Sequence, residues 1–142
     1  HLLETGINHT HITECIFENK SDLYFEQIKT VLAHLNIDKE ARIVYSKIPN
    51  CPNASGHDLI DFLRLSNDAD VYLLFREMSG NNVKISVRSK SDINVAQFAK
   101  QHGGGGHPKA AGIKLKGRLD TLEPLVIKSL QAFIKTAQIT RV

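Results

Sequence analysis

Apolar side chains recur every three or four residues in three segments of the chain, a spacing that predicts amphipathic helices. These segments are residues 9–19, 21–36 and 120–138. The second segment carries a single apolar stripe that needs a partner surface to pack against. The members of that stripe are Phe25, Ile28, Leu32 and Leu35.

Between these helices the pattern changes to β-branched and alternating segments, which predict strands. The strands are residues 41–48, 68–78, 81–89 and 110–117. A turn at 79–82 joins two of them in a hairpin, and shorter helices are predicted over 55–66 and 92–102. Strands and helices therefore alternate, and the chain is predicted to be an α/β protein with a mixed sheet of about five strands and one hairpin, flanked by helices.

The change of pattern near residue 40 predicts a domain boundary. Residues 1–39 are interpreted as a helical connector, and residues 40–142 as one globular domain. The chain starts at His1 instead of Met, which indicates a fragment or a processed chain. Catalytic parts of a larger protein are therefore expected to lie outside these residues.

Composition restricts the class of protein and its location. Hydrophobic residues make up 42% and charged residues 23% of the 142 positions, as in folded globular proteins. No apolar run is long enough to span a bilayer and no signal peptide is visible, so a cytoplasmic protein without a membrane partner is expected. The two cysteines, Cys15 and Cys51, are expected to be reduced. A net charge of +3 permits a polyanionic partner without requiring one.

The strand over 81–89 has two chemically different faces, because side chains alternate across a strand. One face is apolar and predicts core positions: Val83, Ile85 and Val87. The other is polar and basic: Lys84, Ser86 and Arg88. Arg88 is a candidate phosphate ligand, because a guanidinium can grip phosphate through two parallel hydrogen bonds. The other two polar residues are interpreted as solvated surface.

Residues 102–112 read HGGGGHPKAAG, and four successive glycines are costly to order unless the backbone needs them. The run follows a predicted helix and lacks the patterns of the P-loop and of dinucleotide-binding folds. Two interpretations remain open from the residues alone: a nest of N–H groups that binds a phosphate, and a flexible turn. His107 could add a hydrogen bond to a phosphate, and His102 is expected to be charged at the helix C-terminus.

The segment from "VKISVRS" to "GGGGHPKAAGIKL" resembles the accessory C-terminal domain of DHH phosphoesterases, with the oligoribonuclease and 3'-phosphoadenosine 5'-phosphate phosphatase branch fitting best. The resemblance covers residues 41–133, and it implies that residues 1–37 are the tail of the catalytic domain and a connector. It also implies a set of substrate-binding residues: Arg88, Ser89, Gly103, Gly104, Gly105, Gly106 and His107.

The same resemblance implies what lies outside the chain. Such enzymes hold two Mn²⁺ ions in an N-terminal catalytic domain with an Asp-His-His motif, and this sequence has no such triplet. We therefore expect no cofactor and no catalytic residue in this chain, and no hydrolysis by the chain alone. The expected partners are its own N-terminal catalytic domain and a short single-stranded oligonucleotide or nucleotide substrate.

Three alternatives stay open at this level. The first is a single-stranded nucleic-acid-binding module of a RecJ-like exonuclease, and the second is a domain of a cyclic-dinucleotide phosphodiesterase. In the third, the N-terminal helices and a sheet edge form a homodimer or docking surface, and the glycine run is only a turn.

Overall fold

A computed structural model describes residues 22–51 and 59–140, in which helices alternate with strands. The helices within these ranges are α1 (Asp22–Ala33), α2 (Leu59–Leu63), α3 (Val95–Gln101) and α4 (Leu119–Thr140). The strands are β1 (Asn36–Asp38), β2 (Ile43–Ile48), β3 (Val71–Met78), β4 (Asn82–Ser89), β5 (Gly105–His107) and β6 (Ala110–Lys116). The predicted helix over 9–19, with Cys15, lies outside the described residues.

All the strands of this part of the chain form one sheet in the order β1-β2-β3-β4-β6-β5. β2 pairs with β3 in parallel, and every other neighbouring pair is antiparallel. The predicted α/β class with a mixed sheet is therefore confirmed, with six described strands instead of about five. The predicted hairpin is β3–β4, and β5–β6 adds a second one that the pattern did not predict.

The sheet is packed differently on its two faces. On one face, side chains from β2, β3, β4 and β6 pack with α3 and α4 in a core that includes Phe75, Ile85, Phe98 and Leu130. On the opposite face, the second core joins β2 and β3 to α1 and α2, and none of its described members belongs to β4, β5 or β6. The outer half of that opposite face is therefore left outside both cores.

The segment interpreted as a connector takes part in this sheet. β1 pairs with β2, and Val31 of α1 is buried in the second core. The apolar stripe predicted for this helix is mostly exposed, with Phe25 at 58% and Leu32 at 57%, because the helix packs through Tyr24 and Val31, which Ile28 of the stripe joins. The predicted domain boundary and partner surface stay predictions.

None of the helices described here is both long enough and apolar enough to cross a membrane. The longest, α4, has 22 residues, and its outward side carries charged side chains such as Lys128 and Lys135.

Candidate functional site

The half of the second sheet face that lies outside both cores is a polar and basic surface, and it is built by β4, β6 and β5. We call it the basic face, and its members are Lys84, Ser86, Arg88, Gly105, His107, Ala110, Gly112, Lys114 and Lys116. Burial along β4 alternates strictly, with Val83, Ile85 and Val87 buried and the intervening side chains half-buried. This alternation confirms the two faces predicted for the strand.

Strand register places Arg88 and His107 in the same row of this face. Arg88 lies opposite Ala110 of β6, and Ala110 lies opposite His107 of β5. Residues directly opposite each other in antiparallel strands share a face, and neighbouring strands lie about 4.8 Å apart. The backbones of Arg88 and His107 are therefore about 10 Å apart, with only a methyl group between their side chains.

The next row along the same strands has almost no side chains. Ser86 lies opposite Gly112, and Gly112 lies opposite Gly105. A Cβ atom built on Gly105 would meet no atom within 4 Å, and one on Gly112 would only touch the Ile85 carbonyl oxygen at 3.8 Å. Gly105 and Gly112 thus form a bare backbone floor, open to a ligand, beside the row that holds Arg88 and His107.

The first two glycines of the run terminate α3. The N–H of Gly103 donates to the Lys100 carbonyl oxygen at 3.2 Å, and the N–H of Gly104 donates to the Ala99 carbonyl oxygen at 2.8 Å. This is the Schellman pattern, and Gly103 has the positive φ of 77° that the pattern requires. These two N–H groups are committed to the helix end, so they do not form the anion-binding nest that the sequence suggested.

Two glycines of the run are required by close packing against β6. A Cβ atom on Gly104 would lie 2.2 Å from the Gly112 carbonyl oxygen, and one on Gly106 would lie 2.6 Å from the Ala110 carbonyl oxygen. Neither contact leaves room for a side chain, so both residues allow β5 to reach the sheet. Gly105 has no such requirement within the fold.

The turn after the run is tied to its surroundings and is not a free loop. The N–H of Val95 donates to the Pro108 carbonyl oxygen at 3.0 Å, and the N–H of Ser89 donates to the Lys109 carbonyl oxygen at 3.0 Å. The Lys109 ammonium also donates to the Ser91 carbonyl oxygen. These bonds hold the Pro108–Lys109 turn, which directly follows His107, against the end of β4 and the start of α3.

His107 is exposed, and its Nδ1 accepts a hydrogen bond from the Lys109 N–H at 3.2 Å. A neutral ring in this arrangement carries its proton on Nε2, so that nitrogen is a donor whether the ring is neutral or charged. Arg88 is half-buried, and its Nη1 donates to the Val87 carbonyl oxygen at 3.1 Å. The guanidinium has further N–H groups with which it can meet a ligand.

Among the predicted site residues that have a side chain, Ser89 is the one that points to the opposite face of the sheet. It lies opposite Val71, on the packed side of the sheet, and it is only 5% exposed. Its hydroxyl donates to the Ser91 carbonyl oxygen at 3.1 Å and accepts from the Ser91 N–H at 3.3 Å. In this position it shapes the end of β4 near the Pro108–Lys109 turn.

Sequence reasoning missed two residues of this region. Ser86, interpreted as solvated surface, is half-buried and accepts a hydrogen bond from Arg76 Nη2 at 3.2 Å. Arg76 itself follows five buried residues of strand β3, Val71 to Phe75, and is only 1% exposed. A charged residue inside a strand of buried apolar residues was the available signal, since Arg is almost never fully buried without partners.

His102 differs from its prediction. Its Nε2 lies 2.9 Å from Ser129 Oγ and its ring packs 4.9 Å from that of Phe98, between α3 and α4. Burial lowers the pKa of His102 below its usual value, which favours the neutral ring over the charged ring expected at the helix end. A cavity of about 550 Å³ lies beside it, but the lining includes Asp92 and no cation, which does not suit a phosphate.

The described residues offer no site for a metal ion of the kind that the resemblance implies. Within residues 22–51 and 59–140, no three His, Cys, Asp or Glu side chains come together as a ligand group. Manganese prefers carboxylate, carbonyl and water oxygens as ligands, and the basic face has no carboxylate and three lysines and an arginine instead. The part of the chain described here therefore does not fit a manganese centre.

Comparison with known proteins connects this arrangement to a family. The DHHA1 domain family matches residues 40–137. A curated relative, the bifunctional oligoribonuclease and PAP phosphatase NrnA of Thermus thermophilus, is 29% identical over 118 residues, which are 82% of this chain and 36% of that protein. The chain spans 28–36% of the length of the curated relatives it matches.

Solved structures show the same fold. An exopolyphosphatase-related protein from Bacteroides fragilis superposes with a TM-score of 0.83 and 18% identity over 96% of this chain and 42% of that chain. Exonuclease RecJ bound to manganese superposes with a TM-score of 0.57 and 19% identity over 80% of this chain and 28% of that chain. At such identities the likeness establishes the fold and leaves the site to be argued from its own residues.

Proposed function

The chain belongs to the DHHA1 domain family, and on that premise we propose that it is the substrate-binding domain of a manganese-dependent DHH phosphoesterase. The substrates proposed are short oligonucleotides or nucleoside bisphosphates. The observation that carries this proposal is the bare floor of Gly105 and Gly112, which lies directly beside the row of Arg88 and His107.

The charge of this surface supports a phosphate ligand. β4, β5 and β6 contain five Lys, Arg or His residues and no Asp or Glu, and all five point to the basic face. They are Lys84, Arg88, His107, Lys114 and Lys116. Arg88 and His107 supply directed N–H donors, and a charge-assisted hydrogen bond to phosphate contributes about 1.5–3 kcal/mol. The lysines add positive potential that attracts a polyanion.

The absence of side chains at Gly105 and Gly112 determines how closely a ligand can approach the sheet. A nucleotide can lie against the backbone at Gly105 and Gly112, because neither residue raises a side chain toward it. As an edge strand, β5 also leaves alternate N–H groups unpaired by the sheet. The floor therefore offers close contact to a flat or anionic group, while Arg88 and His107 hold the phosphate at one end.

The size of the substrate is proposed from the surface and from the relatives together. The T. thermophilus relative is named an oligoribonuclease and PAP phosphatase. A general single-stranded nucleic-acid site usually adds aromatic side chains on which bases stack. The three strands of the basic face carry no aromatic residue, which favours short substrates over a long single strand.

The chemistry itself is proposed to lie in a catalytic domain outside the described residues. That domain is the proposed partner and would hold Mn²⁺, which supplies an activated hydroxide and charge stabilisation in such enzymes. The residues of the present chain would bind and orient the substrate. Orientation of this kind can account for several kcal/mol of a reaction barrier.

Titration of the chain with the 5'-phosphorylated diadenylate pApA, followed by NMR, tests this proposal. We expect saturable shifts at the amides of Gly105, His107 and Gly112 and at the Arg88 side chain. Arg88→Ala should raise the Kd about tenfold or more through loss of a charge-assisted hydrogen bond. Lys100→Ala, which removes an exposed charge from α3 on the other side of the sheet, is the matched control.

Two results would contradict the proposal. One is the absence of shifts at those amides at millimolar pApA. The other is an equal loss of affinity in Arg88→Ala and Lys100→Ala, which would indicate attraction by net charge without a site.

A further inference from the structure

Arg76 is a buried cation directly beside the basic face, on the neighbouring strand β3. It lies on β3 opposite Lys84 of β4, so its side chain points to the same side of the sheet as the basic residues. Its side chain is 1% exposed, and its Nη2 donates to Ser86 Oγ at 3.2 Å. The bond therefore connects a buried charge to a hydroxyl at the margin of the open surface.

This bond sets the orientation of the Ser86 hydroxyl. A hydroxyl has one proton and two lone pairs, while a guanidinium only donates. Because Ser86 Oγ accepts from Arg76, its own proton must point to a different acceptor. On the side away from β3, the residue opposite Ser86 is Gly112, which has no side chain, followed by Gly105.

We propose that Ser86 is a further ligand-binding residue, whose hydroxyl donates to a phosphate oxygen of the nucleotide over Gly105 and Gly112. Arg76 is the positioning residue that orients this hydroxyl. The inference rests on the proposed function of the basic face. It adds a neutral donor in the row next to that of Arg88 and His107, so that the phosphate is held from two rows of the sheet.

The charges around Ser86 favour an anion at this point. Burial lowers the pKa of Arg76, and the nearby Arg88 lowers it further, while Cys51 acts in the opposite direction. The positive charge of Arg88 therefore reaches the Arg76 guanidinium and disfavours its charged form. A phosphate that binds beside Ser86 relieves this repulsion and strengthens the hydrogen bond from the hydroxyl.

The test is the Kd of the full 142-residue chain for pApA, measured by calorimetry at several salt concentrations. Ser86→Ala should raise the Kd about tenfold, and Ser86→Thr, which keeps the hydroxyl, should recover most of the affinity. A neutral donor releases no counterions, so Ser86→Ala should keep the slope of log K against log salt. Arg88→Ala should reduce that slope by about 0.7.

A double-mutant cycle tests the role of Arg76. Arg76→Lys keeps the charge and changes the direction of the donor, so it should weaken binding about threefold or more in the otherwise unchanged chain. In the Ser86→Ala background the same substitution should have no further effect. Additive effects would overturn the positioning role, because Arg76 would then act independently of the hydroxyl.

The outcomes separate this inference from the proposed function. If Arg88→Ala weakens binding and Ser86→Ala does not, the role of Ser86 is overturned while the function stands. If the unchanged chain does not bind pApA, or Arg88→Ala binds equally well, the proposed function fails and this inference fails with it. Thermal unfolding shows whether each variant is folded. If Ser86→Ala does not fold, Ser86→Cys, a weak donor of similar size, tests whether the hydroxyl of Ser86 contributes to binding.

Discussion

Gly105 differs from its three neighbours because the fold gives it no packing or conformational task. Gly103 supplies a positive φ at the end of α3, and a side chain on Gly104 or Gly106 would collide with β6. At Gly105 a Cβ atom would enter open space over the basic face. A glycine is entropically costly to order, and packing would permit a side chain at Gly105, so the proposed contact with a ligand is the reason we offer for this glycine.

Two alanine substitutions in the same run should therefore give opposite results. Gly104→Ala should destabilise the chain by about 1–3 kcal/mol or more, because its Cβ meets backbone that cannot move away. Gly105→Ala should keep or slightly raise stability, since alanine lowers the entropy of the unfolded chain. The added methyl group at position 105 should also weaken binding of pApA, because it would project into the space over the basic face that the ligand is proposed to occupy.

Urea unfolding and pApA titration of both variants measure these effects. Arg88→Ala serves as the reference for loss of binding with the fold intact. A Gly105→Ala variant that binds as tightly as the unchanged chain would show that the floor is not a contact surface. Equal destabilisation by the two substitutions would show that the run is needed only for packing.

At the scale of elements, periodicity predicted those strands and helices that have apolar positions of their own. β2, β3, β4 and β6 have buried alternating or continuous apolar positions, and α4 has an apolar stripe. β1 and β5 were missed because Asn, Asp and Gly have low strand propensity and these short strands form by pairing with a neighbour. Their existence depends on tertiary contacts that no local pattern contains.

The candidate site, too, was predictable from the sequence only in part. The alternation of β4 was sufficient to place Arg88 on a polar face, and both the glycine run and the motif resemblance pointed to His107. The row that aligns them depends on the register of three strands, which the sequence did not provide. The contact between Arg76 and Ser86 was easier to predict from the sequence. A short turn at 79–81 fixes the β3–β4 register, and this register brings the two residues to diagonal positions in the hairpin.

The junction of α3 and α4 predicts a dependence of stability on pH. The pKa of His102 is lowered by burial, so the unfolded chain binds its proton at a higher pH than the folded chain does. The free energy of unfolding should therefore fall as pH decreases from about 7.5 through the unfolded value near 6.5, and this contribution should level off below the folded pKa. His102→Gln should flatten that decrease.

Urea unfolding of both chains at several pH values between 7.5 and 5.5 measures the difference. Glutamine can still hydrogen-bond Ser129 and does not titrate, so it isolates the protonation of the ring. His107→Gln is the control, because that ring is exposed. A pH profile of His102→Gln that is parallel to that of the unchanged chain would contradict the assignment.

At the scale of the whole molecule, binding and chemistry are proposed to be separate. The matched T. thermophilus relative is almost three times as long as the aligned segment, which covers 36% of it, and the residues described here provide no group of metal ligands. The pure chain should therefore bind pApA and yet release no nucleotide from it in the presence of Mn²⁺, because orientation without an activated nucleophile leaves the phosphodiester bond intact. Chromatography of the reaction products against a buffer blank measures this. The T. thermophilus relative is the positive control, and Mn²⁺-dependent cleavage that elutes with the chain and disappears in Arg88→Ala would show that the chain carries its own catalytic centre.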